Sequence, residues 1–105
     1  YPEKIEILIE GGSYTVNDIS FETPIRHKHP VETYGFIFHT PQHTFSWITD
    51  TKYFDELPHY YKGDLLIINV VRLNPGAPVD HLSLPEVKKI IEEIKPRVAI
   101  ITHLA

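Results

Sequence analysis

The chain of 105 residues has no cysteine and no methionine. Without thiols there are no disulfides and no thiolate metal sites, so a metal bound here must be held by imidazole and carboxylate. Long apolar runs are missing too. No stretch approaches the ~20 residues of a membrane-spanning helix, and no charged start followed by an apolar segment marks a signal peptide. Basic clusters are also absent: 10 Lys and Arg are scattered among 14 Asp and Glu, for a net charge of −4. Sequence-independent nucleic-acid binding draws its affinity from a clustered positive face, so no nucleic-acid partner is expected. Size and composition give one domain, residues 1–105, with room for a single core. A cytoplasmic location and no membrane association are the default expectations. The opening on Tyr1 and the end two residues after His103 read as those of a fragment of a longer protein.

The chain does have histidine, 7 in all. Their placement follows from the elements around them. Ile5 to Ile9, Tyr14 to Val16 and Ile19 to Ile25 read as short strands, with Gly11-Gly12 and Asn17-Asp18 as turns. Tyr34 to His39 and Thr44 to Thr49 alternate like an antiparallel hairpin with a Thr40–His43 loop. A short helix limited by Pro58 is expected within Tyr53 to Tyr61. Leu65 to Val71 is nearly continuous apolar sequence, the pattern of a strand buried on both faces. Arg72 to Val79 is a loop. Ser83-Leu84-Pro85-Glu86 is a capping box, and Leu84, Val87, Ile90, Ile91 and Ile94 recur at helical spacing before Pro96. Val98 to Thr102 is expected to be a second buried strand, parallel to the first. The fold class is therefore α+β, with α/β-type layering: antiparallel strands followed by a βαβ unit.

In such sheets ligands collect at the carboxyl ends of strands, where Asp50 and His103 fall. Taken alone, Asp50 in Thr49-Asp50-Thr51 is a turn aspartate capping the next segment. Its position after Ser46 and Ile48 on one strand face makes it a candidate ligand, with Thr51 available to orient it. His103 in isolation is a histidine ending a buried strand. His29 comes two residues after His27 in a polar loop, and only its spacing to Thr33-Tyr34-Gly35 separates the two. His81 lies two residues before the helix cap, where a helix N-terminus favours anions. There it can donate to a phosphate oxygen or protonate a leaving group. His39, His43 and His59 are read as structural or exposed.

Four segments in this order resemble the metallo-β-lactamase-fold hydrolases, over roughly Phe21 to His103. They are His29-Pro-Val-Glu-Thr-Tyr-Gly-Phe36, Thr49-Asp50-Thr51, His81 before a helix, and Thr102-His103-Leu104. The likeness is closest to the phosphodiesterase and tRNA-processing branch, including the cyclic-phosphate phosphodiesterase of phosphonate metabolism. It covers only the C-terminal half of that αββα sandwich. The His-x-His-x-Asp-His segment of the N-terminal half has no counterpart in this chain.

The resemblance implies a phosphodiesterase using two divalent ions, Zn²⁺ or Mn²⁺. His29, Asp50 and His103 would be the metal ligands, Asp50 shared between the ions, with His81 catalytic beside it. The substrate would be a small phosphodiester. The missing N-terminal half of the same protein would be the main partner, with a homodimer as another possibility. The chain alone is expected to hold metal weakly or not at all and to be inactive. Two rivals remain: a thioester or lactone hydrolase of the same fold, and a small non-enzymatic β-rich binding or assembly module.

Overall fold

A computed structural model describes residues 4–71 and 81–102. Strands β1 (Gly12–Val16), β2 (Ile19–Thr23), β3 (Phe36–His39), β4 (Thr44–Ile48), β5 (Leu65–Asn69) and β6 (Val98–Thr102) form one sheet in chain order. The first three pairings are antiparallel. The β4–β5 and β5–β6 pairings are parallel. Asn17 turns the first hairpin with φ 53°, a left-handed conformation that Asn tolerates better than most residues. A 3₁₀ turn, Leu57–Tyr60, lies between β4 and β5, and helix α1, Leu84–Ile94, joins β5 to β6.

Alternation along β4 decides which face is covered. Ser46 and Ile48 are fully buried, while Trp47 between them is 36% exposed. On the covered face, Ile48, Leu66 and Ile68 belong to one core cluster with Leu57, Leu82, Val87 and Ile90. Glu86 accepts hydrogen bonds from the Ser83 backbone N–H and hydroxyl, both at 2.9 Å, so the expected capping box forms and starts α1 beside the sheet.

The other face is a band of apolar side chains. Register places Tyr14, Phe21, Phe38, Phe45, Leu65 and Val98 side by side, one from each strand. Phe38 and Phe45 stack with centroids 4.9 Å apart. No element among the described residues packs as a second layer over this band, and β6 departs from the sequence expectation. Val98 is 55% exposed and Ile100 47% on this open face, and Ile101 is 41% exposed on the other, because β6 is an edge strand. Ile5 to Ile9 also departs: its alternating isoleucines form no strand, and Ile5 and Ile7 are 78% and 80% exposed. The segment is tethered instead of laddered. Ile9 N–H donates to the Tyr14 hydroxyl at 2.8 Å, and its carbonyl accepts from Thr23 Oγ1 at 2.6 Å. No described helix is long and apolar enough to cross a membrane. The Arg72–Val79 loop expected from sequence lies outside the described residues.

Candidate metal centre

Two loops meet at the carboxyl end of β4. The first runs from β2 to β3 and is pinched at its base, where Arg26 bridges Tyr34 and His27 N–H donates to Thr33 O at 2.8 Å. His29 lies inside the pinched loop. The second loop comes after β4 and begins with Thr49 and Asp50. Backbone contacts zip them together: Lys52 N–H donates to Lys28 O at 2.8 Å, and Lys28 N–H donates to Thr51 Oγ1 at 3.1 Å. His29 is thereby carried to the strand end that presents Asp50. Thr51, expected to orient the Asp50 carboxylate, instead joins the loops: it is fully buried and donates to Lys52 O at 2.8 Å.

The third residue comes from the segment just before α1. His81 precedes the Ser83 cap, and its Nε2 lies 3.9 Å from Asp50 Oδ2. The His29 and His81 rings meet edge to face with centroids 5.2 Å apart. Ligand atoms of His29, Asp50 and His81 all lie within 4.8 Å of one another. Each residue is partly exposed, so the cluster is open to solvent. Two imidazoles and a carboxylate form a donor set suited to Zn²⁺ or Mn²⁺. Two ligands of one zinc lie ~3.3 Å apart in tetrahedral geometry and ~4.2 Å at most. The 3.9 Å pair lies within that span, and a pair at the 4.8 Å limit would have to close by about 1.5 Å to reach tetrahedral spacing.

Where the three converge, His27 turns inward. It is 2% exposed, with Nδ1 3.1 Å from Asp50 O and Nε2 2.6 Å from the Tyr61 hydroxyl. Burial is the main reason its pKa falls to about 4; the Asp50 carbonyl and carboxylate oppose the shift, and nearby His29 adds to it. Burial likewise pushes the Tyr61 hydroxyl well above its ordinary value. Of the two histidines in this loop, His29 is the one whose ligand atom lies near Asp50 and His81. His103 lies outside the described residues. Its neighbour Thr102 pairs with Asn69, whose side-chain amide donates to Asp50 Oδ1 at 3.4 Å.

Sequence reasoning passed over Asn69 and the His27–Tyr61 pair. Asn69 had a signal, being the one amide in the apolar run Leu65 to Val71. Tyr61 had none, since its role depends on a contact 34 residues away.

Known proteins give the site its setting. The beta-lactamase superfamily domain model matches residues 1–104. A search of the curated proteins finds no match. Among solved structures, the metallo-beta-lactamase fold protein YhfI from Bacillus subtilis superposes with a TM-score of 0.79 at 24% identity, covering 93% of this chain and 42% of its own. A diphosphatase from the PhnP family gives 0.71 at 22% identity, covering 91% and 36%. A candidate Zn-dependent hydrolase of the metallo-beta-lactamase superfamily from Thermotoga maritima gives 0.64 at 17% identity, covering 93% and 48%. The chain thus spans less than half the length of each of these structures. With the family model matching nearly its whole length and the same fold recurring in these structures, the chain belongs to the beta-lactamase superfamily and carries part of a metallo-β-lactamase fold.

Proposed function

We propose that this chain is the C-terminal part of a metal-dependent phosphodiester hydrolase. The observation that carries the reading is the convergence of His29, Asp50 and His81 from three separate loops at one end of the parallel strands. A self-contained binding module with incidental histidines gives no reason for that convergence. The likeness to a PhnP-family diphosphatase favours a phosphate ester over a thioester or lactone.

On this reading His29 and Asp50 would hold a divalent cation, and His103, outside the described residues, would join Asp50 at a second one. Such ions, when bound, supply Lewis acidity and acidify a water. Asp50 suits a shared position, because a carboxylate has two oxygens to offer and an imidazole has one nitrogen in reach. Asn69 restrains the carboxylate through Oδ1. His81, beside Asp50 at a helix start, hydrogen-bonds a substrate phosphoryl oxygen or gives a proton to the departing oxygen. The band of apolar side chains on the open sheet face seats the N-terminal half of the same protein, which supplies the remaining donors.

Metal analysis after dialysis, paired with hydrolysis of bis-p-nitrophenyl phosphate, tests the reading. A zinc site for catalysis ordinarily takes ~3 protein ligands. The chain alone is therefore expected to keep little metal and show no turnover, and the whole protein to show both. Metal-free whole protein would sink the hydrolase reading. Stoichiometric metal with steady turnover in the chain alone would show that its own residues complete the site.

A further inference from the structure

Behind the donor cluster, two buried side chains form a hydrogen-bonded chain with a fixed direction that ends on the backbone of Asp50. His27 Nδ1 faces the Asp50 carbonyl oxygen at 3.1 Å. A carbonyl only accepts, so Nδ1 carries the proton. Thr49 Oγ1, 3.3 Å from the same nitrogen, already donates its own proton to Tyr34 O at 2.6 Å, so it too accepts from His27. With Nδ1 as donor, Nε2 of the uncharged ring is the acceptor, and the Tyr61 hydroxyl donates to it at 2.6 Å. Each member of the chain has a partner of the correct polarity.

We propose that His27 and Tyr61 are positioning residues, a buried brace that holds Asp50 and His29 in their ligating arrangement. The inference rests on the reading of those two residues as metal ligands. One side chain controls both because His27 sits two residues before His29 and bonds the backbone of Asp50. Between them, Lys28 is tied to Thr51 and Lys52 through its N–H and carbonyl. The contact that the Asp50 carboxylate makes with Asn69 is long, at 3.4 Å, so much of its orientation must come from the backbone behind it. Gly35 makes the brace sterically possible. A Cβ there would collide with the Tyr61 hydroxyl oxygen and lie 2.9 Å from His27 Cε1.

The test combines a spectrum of the unaltered protein with one conservative variant. Long-range ¹H–¹⁵N correlation should show His27 as the Nδ1–H tautomer; an Nε2–H tautomer overturns the brace. Tyr61→Phe keeps the ring and removes the hydroxyl. It should weaken Co²⁺ binding, read from visible absorption, by ~10–100-fold, the usual loss when a group supporting a ligand is removed. It should also shift the Asp50 and His29 resonances. Ile90→Val, which trims the core away from the cluster, should leave Co²⁺ affinity alone. Unchanged affinity in Tyr61→Phe overturns the proposal wherever binding depends on Asp50. If the unaltered whole protein takes up no Co²⁺, or its Asp50→Asn variant binds as well, the ligand reading is what fails. The brace is then decided by the resonances: shifts of Asp50 and His29 in Tyr61→Phe support it, and their constancy overturns it.

Discussion

Asn69 Oδ1 accepts the Trp47 indole N–H at 3.0 Å, and the amide nitrogen on its other side points at Asp50 Oδ1, 3.4 Å away. The indole thus fixes which end of the amide faces the carboxylate. It also links the two notable surfaces of the molecule, because Trp47 belongs to the open sheet face and Asp50 to the donor cluster. Asn69 itself is 7% exposed at the end of β5.

Replacing Asn69 with Leu keeps the volume and removes both hydrogen bonds. Affinity for Zn²⁺ should fall ~10–100-fold in competition titrations with a chelator, since the group restraining a ligand is gone. Stability in urea should fall by ~1–3 kcal/mol, because the indole N–H and the carboxylate lose a partner. Unchanged affinity alongside reduced stability would leave Asn69 a structural residue only.

His81→Ala separates two roles. With His81 acting on the substrate, turnover of the whole protein should drop by ~10²–10⁴-fold while metal content stays close to that of the unaltered enzyme. The 3.9 Å contact with Asp50 makes the rival outcome concrete. Loss of one metal equivalent, measured by elemental analysis, would make His81 a ligand, and unaffected turnover would remove it from the site.

Much of this arrangement was legible because it is local. The continuous apolar run of β5, the Ser83–Glu86 capping box and the alternation of β3 and β4 each predict an element that forms. Asp50 was legible from its place just past a strand, and His29 from its distance to Gly35. What escaped reading depends on partners remote in sequence. An apolar edge strand such as β6 has the same composition as a buried one, so only its place at the end of the sheet tells them apart. Ile5 to Ile9 has a strand's alternation but pairs with no described strand. Tyr61 reads like any aromatic near a turn until the fold brings it to His27.

Acid should destabilise the protein through His27. Its pKa in the fold is about 4 against 6.5 for the free side chain, so the folded state favours the neutral ring. Below the unfolded pKa, the unfolded chain binds a proton that the folded protein refuses. The stability this burial permits is complete above pH 6.5 and is lost as pH falls through the folded value near 4. The full loss amounts to ~3 kcal/mol at 1.36 kcal/mol per pKa unit. Urea midpoints measured between those pH values should therefore decline in the unaltered protein. The decline should be much shallower in His27→Gln, whose side chain does not titrate. Parallel slopes would assign the acid lability to other groups.

On the proposed reading, the open sheet face should make this chain self-associate when it is kept apart from the half it would seat. Its exposed residues include Trp47 on β4 and Val98 and Ile100 on β6, which are 36%, 55% and 47% accessible and share one face of the sheet. Monomeric soluble proteins rarely leave contiguous apolar patches beyond a few hundred Å² open to water, and larger ones mark interaction surfaces. Because Val98 and Ile100 are already half in water, replacing both with Lys should cost the fold little. The same change puts two charges on the patch and on an edge strand, a common natural block to edge pairing. Sedimentation equilibrium should show the unaltered chain associating with rising concentration and the Val98→Lys, Ile100→Lys variant remaining monomeric. Supplied with the rest of the protein, the unaltered chain should assemble into an active complex and the variant should not. A strictly monomeric unaltered chain at high concentration would mean that this face needs no cover.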